Sequence, residues 1–300
     1  MANQTPPCFI HPNQLAVGYV AAEGGSRFVG THGVVHELNE LGFRDMGHRH
    51  DDKPRKITIA AIGCSYVFGY GLDIEETWLS RFADLVDSIF GCSSHCLNLG
   101  VPGASNDYIV RQVTELVDAI QPHIVLIAFA QKERLEYWSS SSNAYSIRPG
   151  SPRKENWSLA RSELQLAAER MSGWAQDSRR LYQAVRSSSA FCKCADAVLL
   201  YTYASMTETP SIQQWIPGEE YLGQPFPKLD YAVDELHPGV RSNTHLALKT
   251  FARLSARLDS DDKAFARLRD ALGMPPRPSR HDAGSDVHAD GVLERWKTPF

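Results

Sequence analysis

Long apolar runs are what this sequence most plainly lacks. No stretch of its 300 residues approaches the roughly 18 consecutive apolar positions that a membrane helix needs. The opening MANQTPPCFIHPNQ has neither the basic start nor the apolar centre of a secretory signal. The chain is therefore expected to be soluble and cytoplasmic, with no membrane partner. An excess of one charge is also missing: 31 Lys and Arg stand against 35 Asp and Glu, a net −4. A balanced surface gives no electrostatic reason to expect nucleic acid as a partner. Cysteine is sparse, at Cys8, Cys64, Cys92, Cys96, Cys192 and Cys194. Cys92/Cys96 and Cys192/Cys194 are the close pairs, and neither has the paired CxxC spacing of a zinc site, so reduced thiols are expected. His48-Arg49-His50-Asp51-Asp52 offers ligand-type side chains with no second cluster at a matching spacing, which reads as a solvated loop. No internal repeat and no heptad run are present. No metal and no organic cofactor are implied, and nothing encodes an oligomeric state.

What is present is a core. Hydrophobic residues make up 43% of the chain, ample for one sizeable interior. Residues 1–55, rich in Gly and His, read as an irregular N-terminal extension packed on the domain. Residues 56–62, KITIAAI, form a short β-branched apolar run stopping at Gly63, as a buried parallel strand does. Residues 75–89 place Trp78, Leu79, Phe82, Leu85 and Val86 at helical spacing, with acidic residues at the start, where the helix dipole favours them. A second short strand, Cys96–Leu99, ends in the turn from Gly100 to Gly103, and a helix follows over Asn106–Ile120. HIVLIAFA at 123–130 reads as the central strand. Helices over about 156–172 and 174–190, a strand at Ala197–Tyr203 and a helix at 241–258 complete the pattern. Alternating strands and helices predict an α/β fold: a mainly parallel sheet with helices on both faces. The domain is expected over 56–274, with a largely helical insertion at about 139–230 over the sheet's carboxyl edge. The breaker-rich residues 275–300 read as a mobile tail.

Ligands of open α/β sheets sit beyond the carboxyl ends of the strands, and three polar motifs fall there. Gly63-Cys64-Ser65 follows the first strand directly, and a serine in such a turn exposes its hydroxyl. Asn98-Leu-Gly-Val-Pro-Gly103-Ala-Ser-Asn106-Asp107 follows the second, with glycine able to bring a backbone N–H close to a reacting carbonyl oxygen. Asp234-Glu-Leu-His237-Pro238 sits on the loop before the last predicted helix. Its three-residue spacing lets a carboxylate orient an imidazole that takes the serine proton.

The string NELGFRDMGHRHDDKPRKITIAAIGCSYVFGYGLDIEETW, Asn39 to Trp78, resembles the opening block of bacterial SGNH/GDSL hydrolases: a G-F-R-D lead, a strand, then G-[DC]-S-x-x-x-G-x-G. The turn at Gly103 resembles the family's second block and Asp234-x-x-His237-Pro238 its last, so the likeness spans residues 39 to about 250 in family order. It implies a flavodoxin-like three-layer α/β/α fold and hydrolysis of an ester or related acyl group of a small-molecule substrate. By position Ser65 matches the nucleophile, Asp234 and His237 the other triad members, and Gly103 with the Ser65 backbone two oxyanion donors. The sequence departs from the family twice. Cys64 replaces the usual Asp beside the nucleophile. The third block, G-x-N-D, is also missing: Ala130-Gln131-Lys132-Glu133-Arg134 stands in its place, without the oxyanion Asn. Gln131, Lys132 or Arg134 is left to donate instead, and spacing does not choose among them. Loss of one such donor costs roughly 10²–10³ in rate.

Other readings stay beside these. Cys64 reads as a packed small residue rather than a thiol nucleophile. Asn106-Asp107 most simply caps the following helix, with substrate contact as the sharper role for Asn106. Arg134 and Glu136 read equally as a surface pair or as lining of the site. His245 reads as a packed side chain. Trp138, Tyr145, Trp157, Trp174 and Trp215 read as a satellite core before a lid. The same triad also serves acyl transfer to an alcohol or amine, and the missing Asn allows a non-catalytic binding module.

Overall fold

The computed structural model describes residues 19–22, 25–29, 33–39, 43–48, 53–54, 56–138, 144–148, 159–204, 213, 215–216 and 218–274. Among these described residues the strands and α-helices run in the order β1 (Tyr19–Ala22), β2 (Gly25–Val29), β3 (Val35–Leu38), β4 (Arg44–His48), β5 (Lys56–Gly63), α1 (Ser65–Phe68), α2 (Trp78–Phe90), β6 (Ser93–Gly100), α3 (Asn106–Ile120), β7 (Ile124–Phe129), β8 (Leu135–Trp138), β9 (Ala144–Ile147), α4 (Leu159–Met171), α5 (Trp174–Cys194), β10 (Val198–Tyr203), α6 (Val240–Ser255) and α7 (Lys263–Ala271). The central sheet has the order β10-β7-β5-β6-β4. Its first four strands are parallel, and β4 pairs antiparallel with β6 through an irregularity between Asp45 and Gly47. Counted along the chain, the parallel strands lie 2-1-3-4, the flavodoxin-like order, whose switch point falls between β5 and β7.

Burial explains why these segments are strands. All six residues of β7 and of β10 are buried, as is nearly all of β5. A parallel strand covered on both faces needs such a run, because either pleat face meets helices. On one face Tyr108, Ile109 and Val113 of α3 pack with Leu181 and Val185 of α5 against Ile62, Val125 and Ile127. On the other, Trp78, Leu79 and Phe82 of α2, Leu246 of α6 and Phe265 of α7 cover Ile59, Ala61 and Leu126. Each such side chain is worth about 1.5–3 kcal/mol when removed from water. The two clusters are the two interfaces of an α/β/α sandwich. Caps set the helix limits: Thr77 Oγ1 accepts from the Ser80 N–H and Ser105 Oγ from the Tyr108 N–H. Gly91 at φ 64 lets the chain leave α2.

Four expectations change. The described part of the N-terminal segment is not irregular: β1-β2-β3 form an antiparallel sheet of their own and β4 is an edge strand of the main one. The expected insertion at 139–230 does not stand as one block, since α5 and β10 are integral to the sandwich; β8, β9 and α4 build a small cluster of Leu135, Ile147 and Ala168. Trp174 and Trp215 are exposed rather than packed in a satellite core, and the side chains of Trp138, Tyr145 and Trp157 lie outside the described residues. A further helix, α7, follows the one expected to be last. The stretch 275–300, expected to be a mobile tail, lies outside the described residues. Among those that are described, no helix is long and apolar enough to cross a membrane, and no three His, Cys, Asp or Glu side chains group as a metal site.

Two imidazoles bind the fold to pH. His36 is fully buried on Phe68 and Tyr70, and its Nε2 accepts from the Gly71 N–H. His123 Nδ1 accepts from the Thr58 N–H. Burial, with Arg44 beside His36 and Arg267 near His123, lowers each from about 6.5 to about 4. Folding favours the neutral form, so their contribution is full above about pH 6.5 and falls as pH drops toward 4. The urea midpoint is expected to decline across that window, and less steeply in a His36→Gln/His123→Gln variant; equal slopes exclude the assignment.

Candidate active site

β5 delivers the chain to the site at Gly63. Cys64 then takes the extended N-cap position of α1 with no side-chain cap bond, and Ser65 opens the helix. The Cys64 side chain is buried in the core with Phe43, Ile62 and Leu99, as a packed residue. Ser65 N–H, at the first position of a helix, has no intrahelical acceptor. α1 sits unusually close to the strand ends. A Cβ on Gly100 would lie 2.4 Å from the Phe68 amide nitrogen, and one on Gly63 would meet Val67 and the Ala128 carbonyl. The carbonyls at the far end of this single turn are held by side chains from paired positions on β4 and β6. Arg44 donates to Phe68 O at 2.8 Å, Gly69 O at 3.0 Å and Leu72 O at 3.1 Å, and Asn98 Nδ2 to Val67 O at 2.9 Å. Burial lowers the Arg44 guanidinium to about 10 against the pull of Asp73 and Glu75; it stays charged at neutral pH.

His237 arrives on a small closed loop before α6. Tyr231 and Pro238 form an antiparallel bridge, and the Gly239 N–H returns to Asp230 O at 3.0 Å. Asp230 accepts from the Arg241 and Ser242 amides, fixing the start of α6. Asn243 donates to the Pro238 and Gly239 carbonyls and accepts from the Trp78 N–H, joining the loop to α2. Inside the loop Glu235 takes φ 57. The turn lets Asp234 Oδ1 accept from the Leu236 and His237 amides at 3.1 and 3.0 Å. Asp234 Oδ2 bonds His237 Nδ1, and His237 Nε2 lies 2.8 Å from Ser65 Oγ. Burial alone would raise the Asp234 carboxyl, but the amide and imidazole bonds outweigh it and hold it below the ordinary carboxylate value. The Asp234 side chain is 1% exposed and that of His237 21%, so the ring edge reaches a ligand while its partner is shielded. Tyr70 lies against the ring at 4.9 Å and Tyr66 meets it edge-on at 5.7 Å.

Ser65 and His237 open into a cavity of about 210 Å³ lined also by Cys64, Tyr66, Gln131, Arg134, Arg148, Ala204, Lys228 and Leu236. Of the residues singled out in the sequence, Gln131 and Arg134 therefore join the serine and histidine, with Asp234 directly behind. Gln131 Oε1 is buried with no partner among the described residues. Arg134 lines the site rather than pairing with Glu136, which instead binds Arg111 at 2.6 Å. Gly103 and Asn106 lie outside the lining. Gly103 turns the chain at φ 83. The Asn106 amide is spent on the main chain of Ala130, donating to its O at 3.1 Å and accepting from its N at 2.8 Å. It thus fixes the loop that carries Gln131. Lys228, Arg148 and Tyr70 escaped the sequence reading, and only Tyr70, between two glycines just after the nucleophile turn, left a signal there.

Arg44→Met is expected to cost about 3–5 kcal/mol, because three carbonyls lose a buried charged donor; the urea midpoint reads it. Gly100→Ala is expected to cost about 1–3 kcal/mol through backbone overlap, and to slow organophosphonate labelling of Ser65 at least tenfold. An unchanged labelling rate would mean that the turn tolerates displacement.

No protein-family model matches the chain, and no curated protein matches it. Solved structures overlap it at low identity. An esterase, EstA from Pseudoalteromonas sp., inhibited by monoethylphosphonate, is 16% identical at a TM-score of 0.40, covering 68% of this chain and 99% of its own. A member of the lipolytic protein G-D-S-L family from Veillonella parvula is 13% identical at 0.35, covering 65% and 96%. AlinE4, an SGNH-hydrolase family esterase, is 14% identical at 0.31, covering 73% and 93%.

Proposed function

We propose that this chain is a serine hydrolase of the SGNH/GDSL type, cleaving an ester or related acyl group through an acyl-enzyme. The observation that carries the reading is the unbroken relay from Ser65 Oγ through His237 to Asp234 at the wall of one cavity. His237 Nε2 takes the proton as Ser65 Oγ bonds the acyl carbon, and returns it to the leaving alcohol as the ester C–O bond breaks. Water, deprotonated by the same nitrogen, then releases the acid and restores the serine. Asp234 stays ionised throughout, holding Nδ1 protonated and stabilising the imidazolium. The Ser65 amide is one oxyanion donor and Gly103 the family counterpart of a second. Gln131 is the stronger candidate for the missing third, since its amide borders the cavity and rotation about its last bond exchanges oxygen for NH₂.

The sequence without its third-block Asn also fits a binding module that performs no chemistry, and one measurement separates the two. A fluorophosphonate probe is expected to label the wild type at Ser65 and to leave Ser65→Ala unmodified. His237→Ala and Asp234→Asn are expected to lose about 10⁴-fold in turnover with little change in KM. A folded wild type that resists the probe overturns the hydrolase reading in favour of the binding module. Partition between water and added alcohols or amines in the product mixture decides between hydrolysis and transfer.

A further inference from the structure

The charges around the cavity do not match those of the chain. The protein as a whole carries a net −4, yet among the described residues the lining of this cavity includes three cations, Arg134, Arg148 and Lys228, and no carboxylate. The two acidic groups nearest in the bonding pattern are already committed. Asp234 is shielded behind His237, and Glu133 pairs with Arg148 Nε at 3.3 Å. Among the described residues, the side chain of Arg134 finds one acceptor, the Ala104 carbonyl, at a long 3.4 Å. Lys228 Nζ has no oxygen partner there; it lies over the Tyr66 ring at 5.6 Å, and that same ring meets the base edge-on. Arg134 on the β7–β8 loop and Lys228 on the segment before the His237 loop thus leave most of their donors unsatisfied by the described residues. An oxyanion hole needs donors at one atom and does not need two full charges without a carboxylate partner.

We propose that this cavity selects acyl substrates that carry a compact anionic group, a carboxylate, phosphate or sulfate, a few bonds from the scissile carbonyl. The inference rests on the hydrolase reading of Ser65 and names its substrate class. Charge-assisted hydrogen bonds from guanidinium and ammonium are roughly twice as strong as neutral ones. The walls beside them, Leu236, Ala204 and Tyr66, are apolar or aromatic, which limits screening.

Matched ester pairs test this. On the acyl side, mono-4-nitrophenyl succinate is compared with 4-nitrophenyl methyl succinate; on the alcohol side, 4-acetoxybenzenesulfonate with 4-acetoxybenzenesulfonamide. In at least one pair the anionic ester is expected to have a kcat/KM tenfold or more above its neutral partner, and that pair identifies the side. The ratio is expected to shrink as NaCl rises from low to molar concentration, to fall at least threefold in Lys228→Gln, and to persist in Lys228→Arg. Equal kcat/KM within both pairs overturns the proposal while leaving the hydrolase intact. Calorimetry of the same esters with Ser65→Ala reads the preference without turnover. Tighter binding of the anion, together with a wild type that the probe fails to label, would sink the hydrolase and keep the anion preference, whereas equal binding of both partners overturns the preference.

Discussion

Phe68 and Gly69 end a helix one turn long, Leu72 follows on the turn beyond it, and Arg44 meets all three carbonyls where they are buried. A helix so short supplies no partners for its own last carbonyls, and a buried orphan carbonyl costs about as much as a lost hydrogen bond. Arg44 answers with one guanidinium on all three, and Asn98, its neighbour across the β4–β6 pair, takes the carbonyl before them. The position of Ser65 follows from this clamp. The two strands fix where α1 ends, Gly63 and Gly100 fix how close it lies, and the serine hydroxyl is left at the strand ends facing the cavity. His36 and Tyr70 pack on the same turn, so the aromatic flank of His237 rests on it too.

The base reaches that hydroxyl from a segment 172 positions away in the chain, and precision over such a separation needs a stiff loop. Stiffness comes from bonds that cross it at both levels: main chain to main chain at its neck, and the Asp230 and Asn243 side chains to the amides and carbonyls around it. The charge on Asp234 is held by two amides as well as the imidazole, which favours the ionised carboxylate beside His237.

Much of this was legible in the residues. The buried runs KITIAAI, HIVLIAFA and AVLLYTY lie within two residues of β5, β7 and β10, because a strand covered on both faces leaves little room for polar alternation. The serine turn and the Asp234–His237 spacing are legible because each is confined to a few consecutive positions. What escaped was non-local. β4 is short, at an edge and interrupted by an irregularity, so its pattern shows no period, and Arg44 reads as an unremarkable charge until Asn98 and α1 are brought beside it. The insertion was drawn too wide because α5 and β10 belong to the sandwich by pairing that no sequence window displays. Lys228 and Arg148 join the cavity from opposite sides of a long intervening stretch, and neither sits in a motif. Asn106, expected near substrate, is instead bound to Ala130.

The edge position of β4 has an architectural outcome. A minimal catalytic domain drawn from the hydrophobic pattern would begin at Lys56 and keep the serine, histidine and aspartate intact. It would discard Arg44 and His36, and with them the seat on which the nucleophile rests. β3 and β4, which precede the first long buried strand, thus supply side chains on which the Ser65 turn is seated.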